Sequence, residues 1–195
     1  MIADLVKKTR SYRRFNENRT IPVETLKTLV NLGRLSASAA NRQPLKYILS
    51  GDPAINDRIF PCIGWAAYLK DWKGPEKGER PAAYIVMLGD TTISTEFWCD
   101  HGISGQSILL GATEMGLGGC FIGAINKDRL RKALAIAPEY QIMLIIALGE
   151  PAEQVVIEST ADTGGNIRYW RDDEGIHHVP KRSLDEIILN SEKKQ

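Results

Sequence analysis

The sequence is poor in cysteine, with three in 195 residues. Cys62, Cys99 and Cys120 form no C-x-x-C pair, and an odd number cannot all pair in a disulfide framework. This pattern excludes the small disulfide-stabilised class of secreted domains and a cysteine-based zinc site. It predicts reduced, mostly buried thiols in a cytoplasmic protein.

Long hydrophobic runs and excess charge are absent too. The longest nearly uncharged apolar stretch, 142–148, is far too short to cross a bilayer. Residues 1–10 carry scattered charges where a signal peptide would have an apolar core. The formal net charge of +1 gives no electrostatic reason to expect nucleic acid or an anionic membrane as a partner. We therefore expect a soluble cytoplasmic protein that forms one domain over residues 1–195.

Several catalytic signatures are also missing. The stretch GLGGCFIG at 116–123 fails the dinucleotide-binding pattern G-x-G-x-x-G because Phe121 occupies a required glycine position. Ser104 in GISGQ lacks the second glycine of a hydrolase nucleophile elbow. The histidines have no metal-ligand spacing with cysteine or acid, and His177 and His178 are predicted on the surface of an edge hairpin. With no evident nucleophile, metal or acid–base pair, an enzyme of this sequence would take its reactivity from a cofactor.

What is present is an alternation of helical and extended patterns. Helices are predicted over 2–8, 22–35, 53–60, 95–115, 128–135 and 183–190. Strands are predicted over 47–50, 82–88, 120–125 and 140–148, with two more around a turn at 173–175. The helix at 95–115 is apolar almost all round, which predicts a position in the centre of the fold or against another subunit. Strands separated by helices, with late strands added, predict an α+β fold with a mixed sheet packed by helices.

A basic segment, TRSYRRF at 9–15, follows the first helix. Arg10, Ser11 and Arg13 offer forked guanidinium donors and a hydroxyl group, which suit phosphate oxygens. The alternative is a solvated basic face, and the segment by itself favours neither. Aromatic residues that alternate with the arginines would tie the segment to the core and orient its charges. Lys181 and Arg182, at the start of the last helix, have the same two interpretations.

A second polar group lies in SASAANRQPLKY at 36–47. Ser38, Asn41 and Gln43 offer hydroxyl and amide groups among alanines that let another molecule approach closely. An amide both donates and accepts, so these side chains suit a heterocycle with alternating N–H and C=O groups. Composition alone favours the alternative, in which Asn41 turns the chain and Gln43 binds neighbouring backbone.

Taken in order, these segments resemble the FMN-dependent nitroreductase family. RSYRRF is similar to the family's phosphate-binding R-S-x-R-x-F element, and SAANRQP is similar to its S-A-x-N-x-Q-P segment. DHGISGQSILLGATEMGLGGCFIGAI resembles its long central helix with the glycine-rich turn and strand beyond. ALGEP and the basic PKRSLDEI complete the order, so the resemblance covers nearly the whole chain.

The resemblance implies a homodimer that holds FMN at each end of its interface. The implied fold is a mixed, mainly antiparallel sheet flanked by helices, with a long central interface helix. The residues implied to hold the phosphate and ribityl chain are Arg10, Ser11 and Arg13, assisted by Lys181 and Arg182. The residues implied to lie near the ring are Ile122 and Gly123. The residues implied to meet the flavin of the partner subunit are Ser38, Ala39, Asn41 and Gln43.

The resemblance also implies the chemistry. NADH or NADPH would deliver a hydride to flavin N5, after which a nitroaromatic, a quinone or another flavin would be reduced in the same pocket. Alternating use of one pocket gives ping-pong kinetics without a nucleophilic side chain. The loop at 62–81 is predicted as a lid that selects the acceptor through Trp65, Tyr68 and Trp72. Two non-enzymatic alternatives stay open, a flavin-binding storage or sensing module and a basic-patch interaction protein that binds no flavin.

Overall fold

The computed structural model of the chain describes residues 1–189 and contains two β-sheets, the larger of which is covered by helices. Within those residues the α-helices are Ile2–Lys8 (α1), Val23–Leu35 (α2), Pro53–Ile59 (α3), Asp100–Glu114 (α4), Lys127–Leu134 (α5) and Leu184–Ile187 (α6). The strands are Leu45–Ser50 (β1), Ala83–Asp90 (β2), Gly118–Ile122 (β3), Tyr140–Gly149 (β4), Val155–Ser159 (β5), Trp170–Arg171 (β6) and His177–Lys181 (β7). This mixture of helices with mostly antiparallel strands confirms the predicted α+β class.

The larger sheet has four antiparallel strands in the order β1-β2-β4-β3. Every residue of β2 is buried, as its continuous apolar run predicts for a strand covered on both faces. One face packs against α2 and α4, where Leu29, Ile108 and Ile146 belong to one hydrophobic cluster. The opposite face packs against α3 and α5 through a second cluster that includes Ile59 and Leu130. The two clusters make this sheet the rigid frame on which the candidate site is built.

The central helix α4 is shorter than predicted. The apolar pattern predicted a helix over 95–115, but α4 begins at Asp100 and ends at Glu114. Trp98 has a left-handed backbone with a φ of 43°, which interrupts helical geometry just before the helix. Phe97 is buried, and its ring fills the space where Gly89 has no side chain. The apolar pattern therefore extends beyond the helix because the residues before Asp100 pack as a turn.

The smaller sheet has the strand order β5-β7-β6. The strands β6 and β7 pair antiparallel around the predicted turn, which confirms the predicted hairpin. The strand β5, which the sequence analysis did not predict, pairs parallel with β7. Because β5 has five residues, none of them buried, its hydrophobic pattern is too weak to be recognised alone.

The predicted last helix, 183–190, is present over four residues as α6. Its N-cap is Ser183, whose hydroxyl oxygen accepts the Glu186 N–H, as the sequence predicts. The end predicted at Asn190 lies outside the described residues. Across residues 1–189, no helix has both the length and the apolar character that a membrane span requires.

Residues 9–15, which we call the N-terminal strap, lie where the two sheets meet. The Tyr12 N–H donates to the Gly119 carbonyl (3.1 Å), which attaches the strap to β3. Phe15 is fully buried against Gly149 at the end of β4. These anchors hold the basic residues of the strap beside the smaller sheet, which begins shortly after β4 in the sequence.

Replacing Gly119 with alanine is expected to destabilise this attachment. An added Cβ would lie 2.4 Å from the Ala147 carbonyl oxygen and 2.8 Å from the Leu148 side chain. The backbone of β4 cannot move away without disturbing the sheet, so the free energy of unfolding should fall by about 1–3 kcal/mol. Urea denaturation measures this effect. The control is Gly123→Ala, because a Cβ there meets no atom within 4 Å. Equal stability of the two variants would contradict the predicted clash.

Candidate functional site

A cavity of about 280 Å³ lies between the N-terminal strap, α4 and the smaller sheet, and we call it the basic cavity. Its lining includes four predicted phosphate-binding residues, namely Arg10, Ser11, Arg13 and Lys181. The other lining residues are Thr9, Gln106, Leu109, Phe121, Tyr169, His177 and Val179. Arg182 lies outside this cavity, where its exposed guanidinium donates to Glu186 (3.4 Å). Three cationic side chains from opposite ends of the chain therefore line one space, as a site for an anion requires.

The Arg13 guanidinium is held on three sides. It donates to the Ser11 carbonyl (3.1 Å) and contacts Nε2 of His177 (3.3 Å). Its central carbon lies 5.0 Å from the centre of the Tyr169 ring, within cation–π range. Among residues 1–189, no carboxylate forms an ion pair with this guanidinium. Its positive charge is therefore oriented but not neutralised.

Glu153 fixes the strap to the smaller sheet, although no sequence motif predicted it. Its side chain is 2% exposed, and one carboxylate oxygen accepts the backbone N–H groups of Arg13 and Arg14 (3.1 Å to the Arg14 nitrogen). The other oxygen accepts from the Arg171 guanidinium (2.7 Å) on β6. A buried carboxylate with three donors thus crosslinks two distant segments. No local sequence pattern could have revealed this role, because the partners of Glu153 are far away along the chain.

A second cavity of about 210 Å³ adjoins the basic cavity, and we call it the adjoining cavity. The residues that line both cavities are Arg13, Phe121 and Tyr169. Ile122 and Gly123, which were predicted near the flavin ring, line the adjoining cavity together with Trp65. The rest of its wall consists mainly of glycine and alanine at 64, 66, 67 and 124. Small residues let a ligand approach the backbone closely, so this wall can admit a planar ring.

The polar side chains of the segment 36–47, which were predicted to contact the flavin of a partner subunit, lie in a different part of the molecule. Ser38 and Gln43 line a third cavity of about 130 Å³, which shares no lining residue with the other two. Asn41 and Gln43 are exposed, and the Gln43 amide donates to Oδ1 of Asn41 (3.2 Å). The described chain therefore carries two separate groups of predicted flavin contacts.

Asp100, in the first turn of α4, holds the turn that carries these amides. Its side chain is buried, and it accepts from the Ser38 hydroxyl (2.6 Å) and the Ala39 N–H (2.9 Å). The Ser38 oxygen in turn accepts the Gln43 N–H (2.9 Å). The polar groups of Ser38 and Ala39 are thus bonded within the protein. Asp100 could not be singled out from the sequence, because an acidic residue in the first turn of a helix is ordinary.

The same turn contains three residues with a left-handed backbone. The φ angle is 50° at Ala40, 53° at Asn41 and 51° at Gln43. Residues other than glycine rarely adopt this region of backbone conformation. Each such residue costs on the order of 1–3 kcal/mol and persists only where its surroundings fix it. Strain of this kind concentrates at binding and catalytic sites. The turn is therefore the second candidate binding element on the chain.

The loop predicted as a lid forms no helix or strand over residues 63–81. Its aromatic side chains interlock, with 6.3 Å between the ring centres of Trp65 and Trp72. The centre of the Tyr68 ring lies 4.9 Å from the centre of the Tyr169 ring, just before β6. An open outer cleft of about 620 Å³ is lined by Tyr68, Leu69, Lys70, Asp71, Trp72, Arg168 and Arg171. The loop thus borders the adjoining cavity through Trp65 and the outer cleft through Tyr68 and Trp72.

His177 is buried, which corrects its prediction as a surface residue. It is 1% exposed and lines the basic cavity. Burial and the neighbouring Arg13 charge lower the pKa of His177 to about 4, so its ring is neutral at pH 7. Burial also lowers the pKa of His178, but hydrogen bonds to Asp172 (3.0 Å) and Glu158 outweigh this effect and raise that pKa overall. Adjacent histidines on β7 therefore differ in their preference for the proton.

The two histidines predict opposite effects of pH on stability. In the unfolded chain both titrate near a pH of about 6.5. His177 binds the proton more weakly when folded, so stability should fall as pH drops from about 6.5 towards about 4. His178 binds it more tightly, so its contribution is complete below about pH 6.5 and is lost as pH rises through its folded pKa.

Urea midpoints between about pH 8 and about pH 4.5 check both effects. His177→Gln should remove part of the loss of stability in acid, and His178→Gln should remove part of the loss at higher pH. The difference between each variant and the unaltered protein isolates that histidine from carboxylates, which titrate at lower pH. An acid profile that His177→Gln leaves unchanged would refute the assignment to His177.

Comparison with known proteins gives one consistent result. Residues 6–150 match the model of the Nitroreductase family. A protein of Methanothermobacter thermautotrophicus, whose name assigns it to the NADH dehydrogenase/NAD(P)H nitroreductases, is 28% identical over 158 residues, which cover 78% of each chain. The fold is similar to that of an FMN-dependent nitroreductase from Clostridium difficile R20291, with a TM-score of 0.63 at 23% identity over 79% of this chain and 89% of that one.

The fold is also similar to that of a nitroreductase family protein from Streptococcus pneumoniae TIGR4. Its TM-score is 0.71 at 15% identity, and the similarity covers 97% of this chain and 100% of that one. The two solved structures share the fold, and the family match extends over most of the sequence. On this evidence the chain belongs to the nitroreductase family of oxidoreductases.

Proposed function

We propose that this chain is an FMN-dependent oxidoreductase that uses NADH or NADPH to reduce nitroaromatic, quinone or related acceptors. The observation that carries the proposal is the meeting of Arg10, Ser11, Arg13 and Lys181 at the basic cavity. Family membership supports it, and a solved structure with a similar fold is named an FMN-dependent nitroreductase.

The basic cavity has the donor chemistry that the FMN phosphate needs. Two guanidinium groups, an ammonium group and a serine hydroxyl line it. Within residues 1–189, Nε of Arg10 is buried without a hydrogen-bond partner. Hydrogen bonds to charged groups contribute about 1.5–3 kcal/mol each, so several to one phosphate can retain a cofactor that is not covalently attached. The residues present therefore fit the phosphate.

The adjoining cavity fits the isoalloxazine ring. Because Arg13, Phe121 and Tyr169 line both cavities, one bound molecule can extend from the basic cavity into the adjoining one. The small residues beside Ile122 and Gly123 leave room for a planar group. When bound, FMN supplies hydride-transfer chemistry between the nicotinamide and the acceptor. The chain's own contribution is to fix the cofactor, exclude water and keep positive charge close to it.

A homodimer would complete the site, and Asn41 and Gln43 would contact the flavin bound by the partner subunit. Both amides are exposed on the turn that Asp100 holds, away from the basic and adjoining cavities. A turn that is rigid before binding keeps its donors and acceptors in place and avoids an ordering cost on binding. Ser38 and Ala39 would then act by holding this turn through Asp100.

The loop at 62–81 would select the acceptor. Trp65 lines the adjoining cavity, and Tyr68 and Trp72 line the outer cleft beside it. Aromatic side chains stack on planar aromatic groups, which suits nitroaromatic and quinone acceptors. Arg171 of the outer cleft is already paired with Glu153. Lys70 and Arg168, opposed in the described lining by the single carboxylate of Asp71, would favour acceptors that carry negative charge.

The visible absorption spectrum of the purified protein, followed by anaerobic addition of NADPH and then NADH, tests the proposal. A flavin spectrum that either nucleotide bleaches is the expected result. A flavin spectrum that neither nucleotide bleaches would favour a storage or sensing module, or a different reductant. A colourless protein that cannot be reconstituted with FMN would overturn the proposed function.

A further inference from the structure

We propose that His177 is a positioning residue, which orients the Arg13 guanidinium in the basic cavity by accepting its hydrogen bond at Nε2. The inference rests on the proposed function, in which Arg13 binds the FMN phosphate. No sequence motif assigns a role to His177, and its surface prediction pointed away from one. The structure places it instead within the wall of the cavity, beside the cation it would orient.

The chemistry of the two side chains fixes which ring nitrogen carries the proton. A guanidinium group has only donors, so Nε2 of His177, 3.3 Å from an Arg13 nitrogen, must be the acceptor. In the neutral ring the proton then lies on Nδ1. Within residues 1–189, Nδ1 is buried and has no hydrogen-bond partner. Within the described residues, the hydrogen bond from Arg13 is therefore the one that the ring nitrogens of His177 make.

The charged groups around the ring keep it an acceptor. Arg13 faces it from the strap, and Arg171 adds positive charge from β6, while Glu153 supplies the opposing negative charge. His178 follows it in β7, and Lys181 lies further along the same strand and lines the same cavity. Protonation would replace the acceptor at Nε2 with a donor and place a second cation beside the guanidinium. The low pKa of His177 agrees with this, because the neutral form is present at pH 7.

A neutral acceptor orients Arg13 without neutralising it. A carboxylate at this place would hold the guanidinium more strongly, but it would also repel a phosphate. The nearby carboxylate of Glu153 instead accepts the backbone N–H of Arg13 and the side chain of Arg171. The arrangement therefore leaves the Arg13 charge free for an anion while its direction is set by Ser11, Tyr169 and His177.

Two amide variants separate the roles of the two ring nitrogens. The side-chain oxygen of His177→Gln can reach the position of Nε2, whereas the shorter side chain of His177→Asn reaches only the position of Nδ1. We expect FMN affinity, measured by titrating flavin-free protein at neutral pH, to stay within about threefold for the Gln variant and to weaken about tenfold for the Asn variant, the loss of one hydrogen bond to a charged group. His178→Gln is the matched control and should bind as the unaltered protein does.

A spectroscopic measurement tests the contact without flavin. The ¹⁵N resonances of His177 should show a protonated Nδ1 and an unprotonated Nε2 in the flavin-free protein at neutral pH. Thermal unfolding shows that each variant is folded. Equal affinity of the Gln and Asn variants, or a proton on Nε2, would overturn the role of His177 while leaving the proposed function intact. An unaltered protein that cannot bind FMN would overturn the proposed function, and the inference with it.

Discussion

Arg13→Gln is expected to weaken FMN binding by about 100-fold and to leave the fold intact. The substitution removes a guanidinium that lines both cavities and has no carboxylate partner within residues 1–189. The strap keeps its attachment because Glu153 accepts the backbone N–H of residue 13, which every residue except proline provides. Fluorescence titration of flavin-free protein gives the affinity, and urea denaturation gives the stability.

The matched control for this variant is the next residue in the sequence. The Arg14 side chain pairs with Glu79 (3.2 Å) and lies over the Trp72 ring, and it lines neither the basic nor the adjoining cavity. Arg14→Gln removes the same charge from the strap but should leave FMN affinity within about threefold. If both variants lose the same affinity, the effect comes from the overall charge of the strap, and the assignment of Arg13 to the phosphate is wrong.

Asp100→Ala is expected to lower the free energy of unfolding by about 2–4 kcal/mol and to reduce the flavin content of the purified protein. The change leaves the Ser38 hydroxyl and the Ala39 N–H without their acceptor. It also removes the contacts that hold the left-handed residues Asn41 and Gln43, so the strained turn can relax to other conformations. Urea denaturation and the ratio of flavin to protein absorbance measure the two effects.

Two further variants give this prediction its control. Asp128 is also an acidic residue in the first turn of a helix, but it is exposed, so Asp128→Ala should cost only about 0.3–1 kcal/mol. Asp100→Asn keeps one oxygen acceptor for the Ala39 N–H. Its free energy of unfolding and its flavin content should therefore lie between those of the unaltered protein and of Asp100→Ala. A loss of stability without any loss of flavin would show that the turn does not contribute to cofactor binding.

The sequence predicted those elements in which burial leaves a strong pattern. The apolar runs at 82–88 and 140–148 correspond to β2 and β4, which form the centre of the larger sheet. The apolar pattern predicted helix wrongly where apolar residues pack without regular structure, as in the turn before Asp100. It also failed for β5, which depends on its pairing with β7 more than on its own residues.

The candidate site was predictable in its residue types and not in its geometry. Guanidinium and ammonium groups suit phosphate oxygens but also occur on solvated surfaces, so Arg13 and Lys181 could be proposed from the sequence only together with the family resemblance. The structure separates two adjacent cations that the sequence could not distinguish. Lys181 ends β7 and lines the basic cavity, whereas Arg182 follows the strand and pairs with Glu186. The burial of His177 depends on coverage of β7 by the strap, which no local sequence pattern encodes.

The basic cavity lies at a seam between two sheets of unequal size. The larger sheet is covered by helices on both faces, whereas the smaller one has three short strands, of which β6 has two residues. Backbone amides in β7 should therefore exchange with deuterium faster than those in β2, through local opening of the smaller sheet. Such opening removes one wall of the cavity without unfolding the frame. The rate at which a bound cofactor dissociates should accordingly follow the exchange rate of β7, and not the rate of global unfolding.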